Sequence, residues 1–149
     1  MSEPSAQQIA HFVGDGMYAK DRAAQDMGIR LSSIAPGRAE MTMTVRENML
    51  NGLDSCHGGY IAALADTAFA YACNSHNEAT VASGFSIDFA APAKLGDVLI
   101  ATAVEVVKAG RTGIYDTDVI NQRGQRIAVF RGRSYTLKGK PTVSAETII

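Results

Sequence analysis

The stretch LDSCHGGYIAALADTAFAYACN occupies residues 53–74 and predicts a buried helix over residues 58–73. Small side chains recur along it and suit a close approach between a helix and a sheet; they are Ala62, Ala63, Ala65, Ala68, Ala70 and Ala72. Two features are unusual for a purely structural helix. It begins at Gly58 and Gly59, directly after His57, and a single carboxylate, Asp66, interrupts its apolar run.

Four segments with the pattern of strands follow the helix, at residues 81–89, 98–108, 112–121 and 126–137. They are separated by APAKLGD, AGR and QRGQ, each of which contains the Gly or Pro that a tight turn needs. These connections are too short for parallel strands, which need a crossover of a dozen or more residues. We therefore expect an antiparallel sheet.

Before the helix, residues 27–35 and 38–45 have strand patterning around a Pro-Gly turn, and residues 5–24 have a helical period. Five or six antiparallel strands and one long Ala-rich helix predict an α+β fold in which the sheet wraps around the helix. This is the hot-dog architecture. The last segment, residues 139–149, has no pairing pattern and is expected to be loose.

The composition fits a single domain over residues 1–149. Hydrophobic residues make up 46% of the chain and charged residues 19%, and the net charge of −1 gives no reason to expect nucleic acid or a membrane as a partner. The first residues, MSEPSAQQIAHF, lack the pattern of a signal peptide, and no window has the roughly 18 apolar residues that span a bilayer. We expect a cytoplasmic protein.

Neither cysteine chemistry nor metal binding is indicated. Cys56 and Cys73 give no disulfide framework, and the three scattered histidines lack metal-ligand spacing, so no metal or other cofactor is expected. Cys56 directly precedes His57, and neighbours in sequence rarely direct their side chains at one another. A Cys–His dyad is therefore not favoured.

Basic residues are concentrated between residues 119 and 145, where no acidic residue occurs; they are Arg123, Arg126, Arg131, Arg133, Lys138 and Lys140. Two interpretations are open. The segment could be the solvated edge of a strand, or it could provide a site for an anionic ligand.

Asp66 has a structural and a chemical interpretation. It could be a buried carboxylate with a polar partner or point to solvent, although unpaired buried charges are rare. It could instead be a nucleophile or a general base. Gly58 and Gly59 could then hold an oxyanion, because N–H groups at a helix start favour negative charge and glycine has no Cβ to obstruct the ligand. Together these groups predict a hydrolase of an activated carbonyl compound.

The spacing of these groups predicts an oligomer. Eight residues of helix place Gly58 and Asp66 about 12 Å apart, so one carbonyl group cannot contact both in the same subunit. If they act together, Asp66 of one copy must face Gly58 of a second copy across an antiparallel helix pair. A two-fold homodimer would carry two such composite sites.

The motif MLNGLDSCHGGYIAALADTAFAYACNS, together with SIDFAAPAKLGD and GRTGIYD downstream, resembles the phenylacetic acid degradation thioesterases of the hot-dog superfamily. The resemblance extends over about residues 17–137. It implies a hydrolase of acyl-coenzyme A with aromatic acyl groups such as phenylacetyl or hydroxyphenylacetyl, acting in phenylacetate breakdown. It also implies that coenzyme A is part of the substrate and that dimers pair further into tetramers.

The resemblance assigns roles to individual residues. Asp66 matches the catalytic carboxylate and Gly58 the glycine whose N–H polarises the thioester carbonyl. Asn51 matches a position that holds Asn or Gln near the thioester, and His57 precedes the glycine as a loop-structuring residue or a participant. One departure concerns the Ser or Thr that many relatives have one turn after the carboxylate, where this chain has Ala70.

The remaining implied roles concern the coenzyme A phosphates, for which the basic candidates near strand turns are Lys94, Arg111 and Arg133. Thr67 is adjacent to Asp66 but about 100° around the helix, which makes it a poor substitute for the missing hydroxyl.

Two rival functions stay open. One is a dehydratase or hydratase of acyl thioesters, which usually pairs a catalytic histidine with an acid, and the other is a non-catalytic acyl-coenzyme A sensor.

Overall fold

The computed structural model describes residues 2–144. Its helices are α1 (Ala6–Lys20), α2 (Arg22–Asp26) and α3 (Gly58–Asn74), with a 3-10 turn at Glu47–Met49. Its strands are β1 (Arg30–Ala35), β2 (Arg38–Thr44), β3 (Thr80–Phe89), β4 (Val98–Ala109), β5 (Thr112–Ile120) and β6 (Arg126–Thr136). No helix in this part of the chain is long and apolar enough to cross a membrane.

The six strands form one antiparallel sheet in the order β1-β2-β4-β5-β6-β3. The helix α3 packs on its inner face and shares one hydrophobic core with it. The predicted α+β hot-dog arrangement is therefore confirmed, with six strands. The boundaries predicted for the four strands after α3 agree with the structure to within one residue.

Close packing between α3 and the sheet depends on a glycine in β6. A Cβ at Gly132 would lie 2.7 Å from the ring of Phe69, so the ring of the helix residue occupies the space above the bare backbone. Phe69 also packs against Tyr115 and Phe130, with ring centroids 5.6 and 5.8 Å away. These are tilted arrangements, which aromatic pairs prefer over face-to-face stacking. The small residues of α3 and the glycine of β6 together allow this approach.

The strand-edge interpretation of the basic C-terminal segment is wrong, because β6 lies between β5 and β3. Arg131 donates two hydrogen bonds to the carboxylate of Asp116 on β5, at 2.7 and 2.8 Å. These bonds hold the pKa of Asp116 below its usual range. Arg126 forms a second ion pair with Asp118, at 3.3 Å. An alternating pattern alone does not distinguish an edge strand from an interior strand.

The helix predicted for residues 5–24 is broken into α1 and α2. At Asp21 the backbone leaves the helical conformation, and the Asp21 carboxylate accepts a hydrogen bond from the N–H of Ala24 at 3.1 Å, which caps α2. After α2 the chain turns through Gly28, whose φ is +70°. For this reason β1 begins at Arg30, three residues later than predicted.

The prediction of a loose tail is wrong for the part of it that the structure describes. Val143 is 5% exposed. Its side chain lies against Gly16 of α1, where a Cβ would come within 2.6 Å of it. Its N–H donates a hydrogen bond to Asn77 at 2.9 Å. These partners are distant in sequence, so no local sequence pattern predicted the contacts. Residues 145–149 lie outside the described part of the chain.

Candidate active site

One face of α3 is not fully covered by the sheet. The residues that face the core, such as Leu64, Ala68 and Phe69, are buried. Among the partly or fully exposed residues of α3, six recur with the helical period on the other side; they are Gly59, Ala62, Ala63, Asp66, Thr67 and Ala70. We call this set the uncovered face of α3.

Asp66 is the charged residue of the uncovered face. It is half-buried, and it forms no hydrogen bond or salt bridge with any residue between positions 2 and 144. Burial raises the pKa of its carboxyl group above the ordinary value. Of the two structural interpretations, a buried carboxylate with a polar partner is excluded for the described residues, whereas a carboxylate that points to solvent is compatible with the half-buried position of Asp66. Its carboxylate is therefore available to a ligand or to another subunit.

The hydroxyl next to Asp66 is occupied within the helix. Thr67 donates a hydrogen bond from its Oγ1 to the carbonyl oxygen of Ala63 at 2.6 Å. Its proton is therefore not available to orient a water molecule beside Asp66. One turn further on, Ala70 has no polar side-chain atom. The residues of α3 that follow Asp66 thus supply no free hydroxyl proton for positioning water.

Gly58 is the first residue of α3, and its N–H has no hydrogen-bond acceptor within the described residues. This N–H lies at the positive end of the helix dipole, where negative charge is favoured. The backbone φ of Gly58 is not positive, so backbone conformation does not require a glycine. A Cβ at this position would instead lie 2.9 Å from Cζ of Phe89. The glycine is required by a neighbouring aromatic ring.

His57 caps the start of α3. Its Nδ1 accepts a hydrogen bond from the N–H of Gly59 at 3.2 Å, which means that Nδ1 carries no proton in this arrangement. Its backbone N–H donates to the carbonyl oxygen of Met49 at 2.7 Å. These contacts give His57 a loop-structuring position. The contact with Nδ1 also occupies the N–H of Gly59, so of the two glycines at the start of α3 only Gly58 has an unengaged N–H.

Asn51 uses its side-chain oxygen to hold the loop before α3. Oδ1 accepts hydrogen bonds from the N–H groups of Leu53 and Ser55, at 2.9 and 3.2 Å, and from the Ser55 hydroxyl at 3.4 Å. Because backbone N–H groups can only donate, these bonds fix which side-chain atom is oxygen. The Nδ2 group has no partner among the described residues. Asn51 therefore presents an unengaged N–H donor.

The loop brings three of the predicted site residues together and leaves the fourth apart. The N–H of Asn51 donates to the carbonyl of Ser55 at 2.8 Å, which places Asn51 beside the segment that leads to His57 and Gly58. Asp66 lies two turns further along α3, about 12 Å from Gly58 by the rise of the helix. A single described chain thus contains the donor side of a site and, separately, a carboxylate.

The three cations predicted to bind phosphates do not cluster. Lys94 lies at the start-of-α3 end of the sheet, where the carbonyl of the preceding Ala93 accepts a hydrogen bond from Cys56 at 2.8 Å. Arg111 lies in the β4–β5 turn at the opposite end, about 36 Å away by the length of β4. Its guanidinium donates to the hydroxyl of Tyr135 at 3.3 Å. Arg133, two residues before that tyrosine, shares this end.

Cys56 does not form a dyad with His57. The Cys56 thiol contacts the backbone carbonyl of His57, at 3.7 Å, and not its ring. Burial raises the pKa of Cys56 to about 11, so the thiol is neutral near pH 7 and is a poor nucleophile. The structure agrees with the sequence argument against thiol chemistry here.

A cleft of about 790 Å³ lies between α1 and the loop after α3, and its lining includes Ile9, Phe12 and His76. Neither Asp66 nor Gly58 lines it. The polar groups of α3 that lack partners, where chemistry is possible, therefore lie outside this cleft.

Two exposed aromatic residues of β3 are not among the residues predicted from the sequence: Phe89, which lies beside Gly58, and Phe85 on the same strand. Both face the α3 side of the edge strand β3, and they are 52% and 42% exposed, respectively. The signal available in the sequence was their position on the apolar face of a predicted strand. That signal is the same for a core residue, so exposure could not be inferred from it.

The sequence and the fold of the chain are similar to those of known thioesterases. The model of the thioesterase superfamily matches residues 53–137. The acyl-coenzyme A thioesterase PaaI of Escherichia coli is 47% identical over 140 residues, which cover 94% of this chain and 97% of that protein.

Two solved structures extend the comparison. The E. coli PaaI protein from the phenylacetic acid degradation operon superposes with a TM-score of 0.89 at 46% identity, covering 91% of this chain and 99% of that one. A Streptococcus mutans protein bound to acetyl CoA superposes with a TM-score of 0.72 at 27% identity, covering 75% of this chain and 90% of that one.

Proposed function

The chain belongs to the thioesterase superfamily, and on this premise we propose that it hydrolyses acyl-coenzyme A thioesters with aromatic acyl groups, such as phenylacetyl or hydroxyphenylacetyl, in phenylacetate catabolism. One observation carries the proposal. The same helix presents an unpartnered carboxylate, Asp66, and an unengaged N–H at its start, Gly58. A base or nucleophile and an oxyanion donor are what thioester hydrolysis requires.

In the reaction, the thioester carbonyl oxygen accepts a hydrogen bond from the N–H of Gly58, with the helix dipole and the Asn51 side-chain amide as further sources of positive charge. Asp66 then either removes a proton from the attacking water or attacks the carbonyl carbon itself, giving an anhydride that water cleaves. In both routes the tetrahedral oxyanion collapses and expels the coenzyme A thiolate, which takes up a proton. Burial makes Asp66 a stronger base than an exposed aspartate.

The site is proposed to form between two copies of the chain. The uncovered face of α3 consists mostly of small residues and lies beside the free edge of β3. A second copy with its α3 antiparallel to the first covers this surface and brings its Asp66 toward Gly58. Pairing of such dimers into tetramers is an extension of the same proposal.

The dimer also gives a reason for the separation of the cations. In an antiparallel helix pair, the start-of-α3 end of one subunit lies beside the opposite end of its partner. Lys94 of one subunit and Arg111 and Arg133 of the other could therefore contact the same coenzyme A molecule, although within one chain Lys94 lies about 36 Å from the end that holds the two arginines. Phosphate contacts of this kind contribute uniform binding rather than turnover.

Two other functions predict different behaviour. Dehydratases and hydratases of acyl thioesters usually pair a catalytic histidine with an acidic residue, and here α3 contains no histidine beyond His57, whose Nδ1 caps the start of the helix. A non-catalytic sensor has no use for a half-buried unpartnered carboxylate, whose desolvation is unfavourable. Both observations favour the hydrolase.

Activity is tested by incubating the protein with phenylacetyl-coenzyme A and a thiol reagent. A thioesterase releases free coenzyme A continuously, at a rate proportional to the protein concentration. A hydratase or a sensor releases none, and that result would overturn the proposal. A panel with other acyl groups then defines the preference.

The shared site is tested by mixing two inactive variants, Asp66→Ala and Gly58→Val, after denaturation and renaturation together. Half of the dimers should be mixed, and each mixed dimer contains one site with neither defect. Activity should return to about a quarter of wild type if the sites are independent. Native mass spectrometry first establishes that mixed dimers are present. Mixed dimers without activity would show that Asp66 and Gly58 do not meet across an interface.

A further inference from the structure

The position of Phe89 leads to an inference about substrate selection, which rests on the proposed function. We propose that Phe89 is a specificity-determining residue whose ring forms the wall against which an aromatic acyl group packs when the thioester carbonyl is bound at the N–H of Gly58. It is a binding residue for the acyl group and takes no part in proton transfer.

The ring of Phe89 lies directly against the start of α3. Its Cζ, Cε2 and Cε1 atoms are 2.9, 3.3 and 3.4 Å from the place where a Cβ of Gly58 would be. The neighbouring Gly59 has no such contact, since a Cβ there would meet His57 at an ordinary 3.5 Å. The ring is therefore adjacent to the residue that supplies the unengaged N–H. A carbonyl group held by that N–H lies close to the ring.

The ring is not used to fill the core. Phe89 is 52% exposed in the isolated chain, at the last residue of the edge strand β3. Phe85, on the same side of the same strand, is 42% exposed but stacks on Phe130 with centroids 4.8 Å apart. Among the described aromatic rings, Phe89 has no aromatic partner of this kind. Its exposed surface is available to a ligand ring.

The chemistry of the surroundings identifies which part of the substrate contacts Phe89. Two further side chains of β3 lie on the same side of the sheet as Phe89, and both are apolar; they are Phe85 and Ile87. They offer no hydrogen bonds to the amide groups of the pantetheine arm. The charged candidates for coenzyme A are at strand turns instead. The apolar acyl group is therefore the part that fits beside Phe89.

The expected effect is moderate. Offset or edge-to-face packing of two aromatic rings is more favourable than the area they bury alone would give, by an amount that corresponds to about two- to tenfold in an equilibrium constant. A ring one methylene from the carbonyl, as in phenylacetyl, gains this contact. A linear acyl chain with the same number of carbons does not.

The test compares Phe89→Leu with wild type on phenylacetyl-coenzyme A and octanoyl-coenzyme A, which have equal numbers of acyl carbons. We expect the ratio of kcat/KM for the aromatic over the linear substrate to fall about two- to tenfold. Phe85→Leu is the matched control, because it removes an exposed ring from the same strand away from Gly58, and it should leave the ratio unchanged. Phe89→Tyr keeps the ring and should keep the ratio.

The outcomes are distinguishable. An equal loss on both substrates in Phe89→Leu would mean that the ring supports the helix start or contacts the constant part of the substrate, and it would overturn the inference. An unchanged ratio, or an equal change in Phe85→Leu, would overturn it as well. If Phe89→Leu does not fold, a change of the ratio in Phe89→Tyr counts against the inference. Absence of coenzyme A release by the wild type is a failure of the proposed function itself.

Discussion

The two faces of α3 differ in what accounts for their side chains. The face toward the sheet consists of residues such as Leu64, Ala68 and Phe69, and each of them is buried by contacts within the same chain. The uncovered face contains small residues and Asp66, which lacks a polar partner within positions 2–144. Packing explains the first face completely, whereas nothing in one described chain explains the second.

The difference shows where structure and function separate on one element. Burial of apolar side chains in the core lowers the free energy of the folded state, so these side chains specify the fold. A half-buried carboxylate without a partner loses solvation, and the raised pKa of Asp66 is the sign of that loss. A half-buried carboxylate that does not contribute to the stability of the single chain indicates a use outside its folding. The following predictions test this contrast, from the largest effect to the smallest.

Substitutions on the sheet-facing side of α3 should lower the stability of the protein. Leu64 is fully buried, and Leu64→Ala should lower the free energy of unfolding by about 2–5 kcal/mol, because it removes buried methyl groups and leaves a cavity. Denaturant unfolding at one fixed protein concentration measures this. Thr67→Ala on the uncovered face is the control and should change stability by less than about 1 kcal/mol. Equal losses would show that the two faces are equally well packed.

The uncovered face should be sensitive in activity instead. Asp66→Asn keeps the size of the side chain but removes the base or nucleophile, so kcat should fall at least ~10²-fold while circular dichroism stays unchanged. Thr67→Ala should retain turnover within a few fold, because its hydroxyl proton is already donated to Ala63. Near-normal turnover of Asp66→Asn would show that Asp66 is not catalytic and that the two faces of α3 do not differ in this way.

The two glycines at the start of α3 sharpen the comparison. Gly58→Ala should lower kcat/KM about tenfold, since its Cβ displaces the ring of Phe89 and with it the geometry at the N–H. Gly59→Ala has room for its Cβ and should stay within about twofold of wild type. Adding Phe89→Ala to Gly58→Ala should recover part of the loss. If Gly59→Ala were as damaging as Gly58→Ala, the aromatic contact would not be the cause.

The smallest effect is a pH dependence of stability. Because burial raises the folded-state pKa of Asp66, the unfolded chain ionises this group at lower pH than the folded chain. Wild type should therefore lose stability relative to Asp66→Asn as pH rises from the unfolded value, about 3.9, through the raised folded value. Above that range the difference is constant. Thermal unfolding of both proteins across this pH range measures it, and parallel Tm curves would contradict the assigned burial.

Much of the fold was predictable because it depends on local periodicity. The pattern of small and apolar residues predicted α3, and alternation predicted the four strands after it to within one residue. The condition that Gly58 and Asp66 cannot meet within one subunit also followed from the sequence, since the rise of a helix is fixed. For the site, the sequence identified Asp66, Gly58, His57 and Asn51 as candidates.

Other features could not be predicted, because they depend on contacts between residues far apart in sequence. The pairing of Arg131 with Asp116 depends on strand order. The docking of Val143 depends on α1 and on the loop after α3. In both cases the local sequence pattern is compatible with a solvated segment. Whether the segment is packed depends on a partner that is distant in sequence.

The sequence by itself therefore determined the type and spacing of the elements, the helix that carries Asp66, and the need for a second copy if Asp66 and Gly58 act together. Only the tertiary structure decided that β6 is an interior strand, that Lys94 and Arg111 lie at opposite ends of the sheet, and that Phe89 rests on Gly58. The physical reason is one of range. Backbone geometry and side-chain periodicity act over a few residues, whereas strand order and side-chain contacts arise when distant segments are packed into one core.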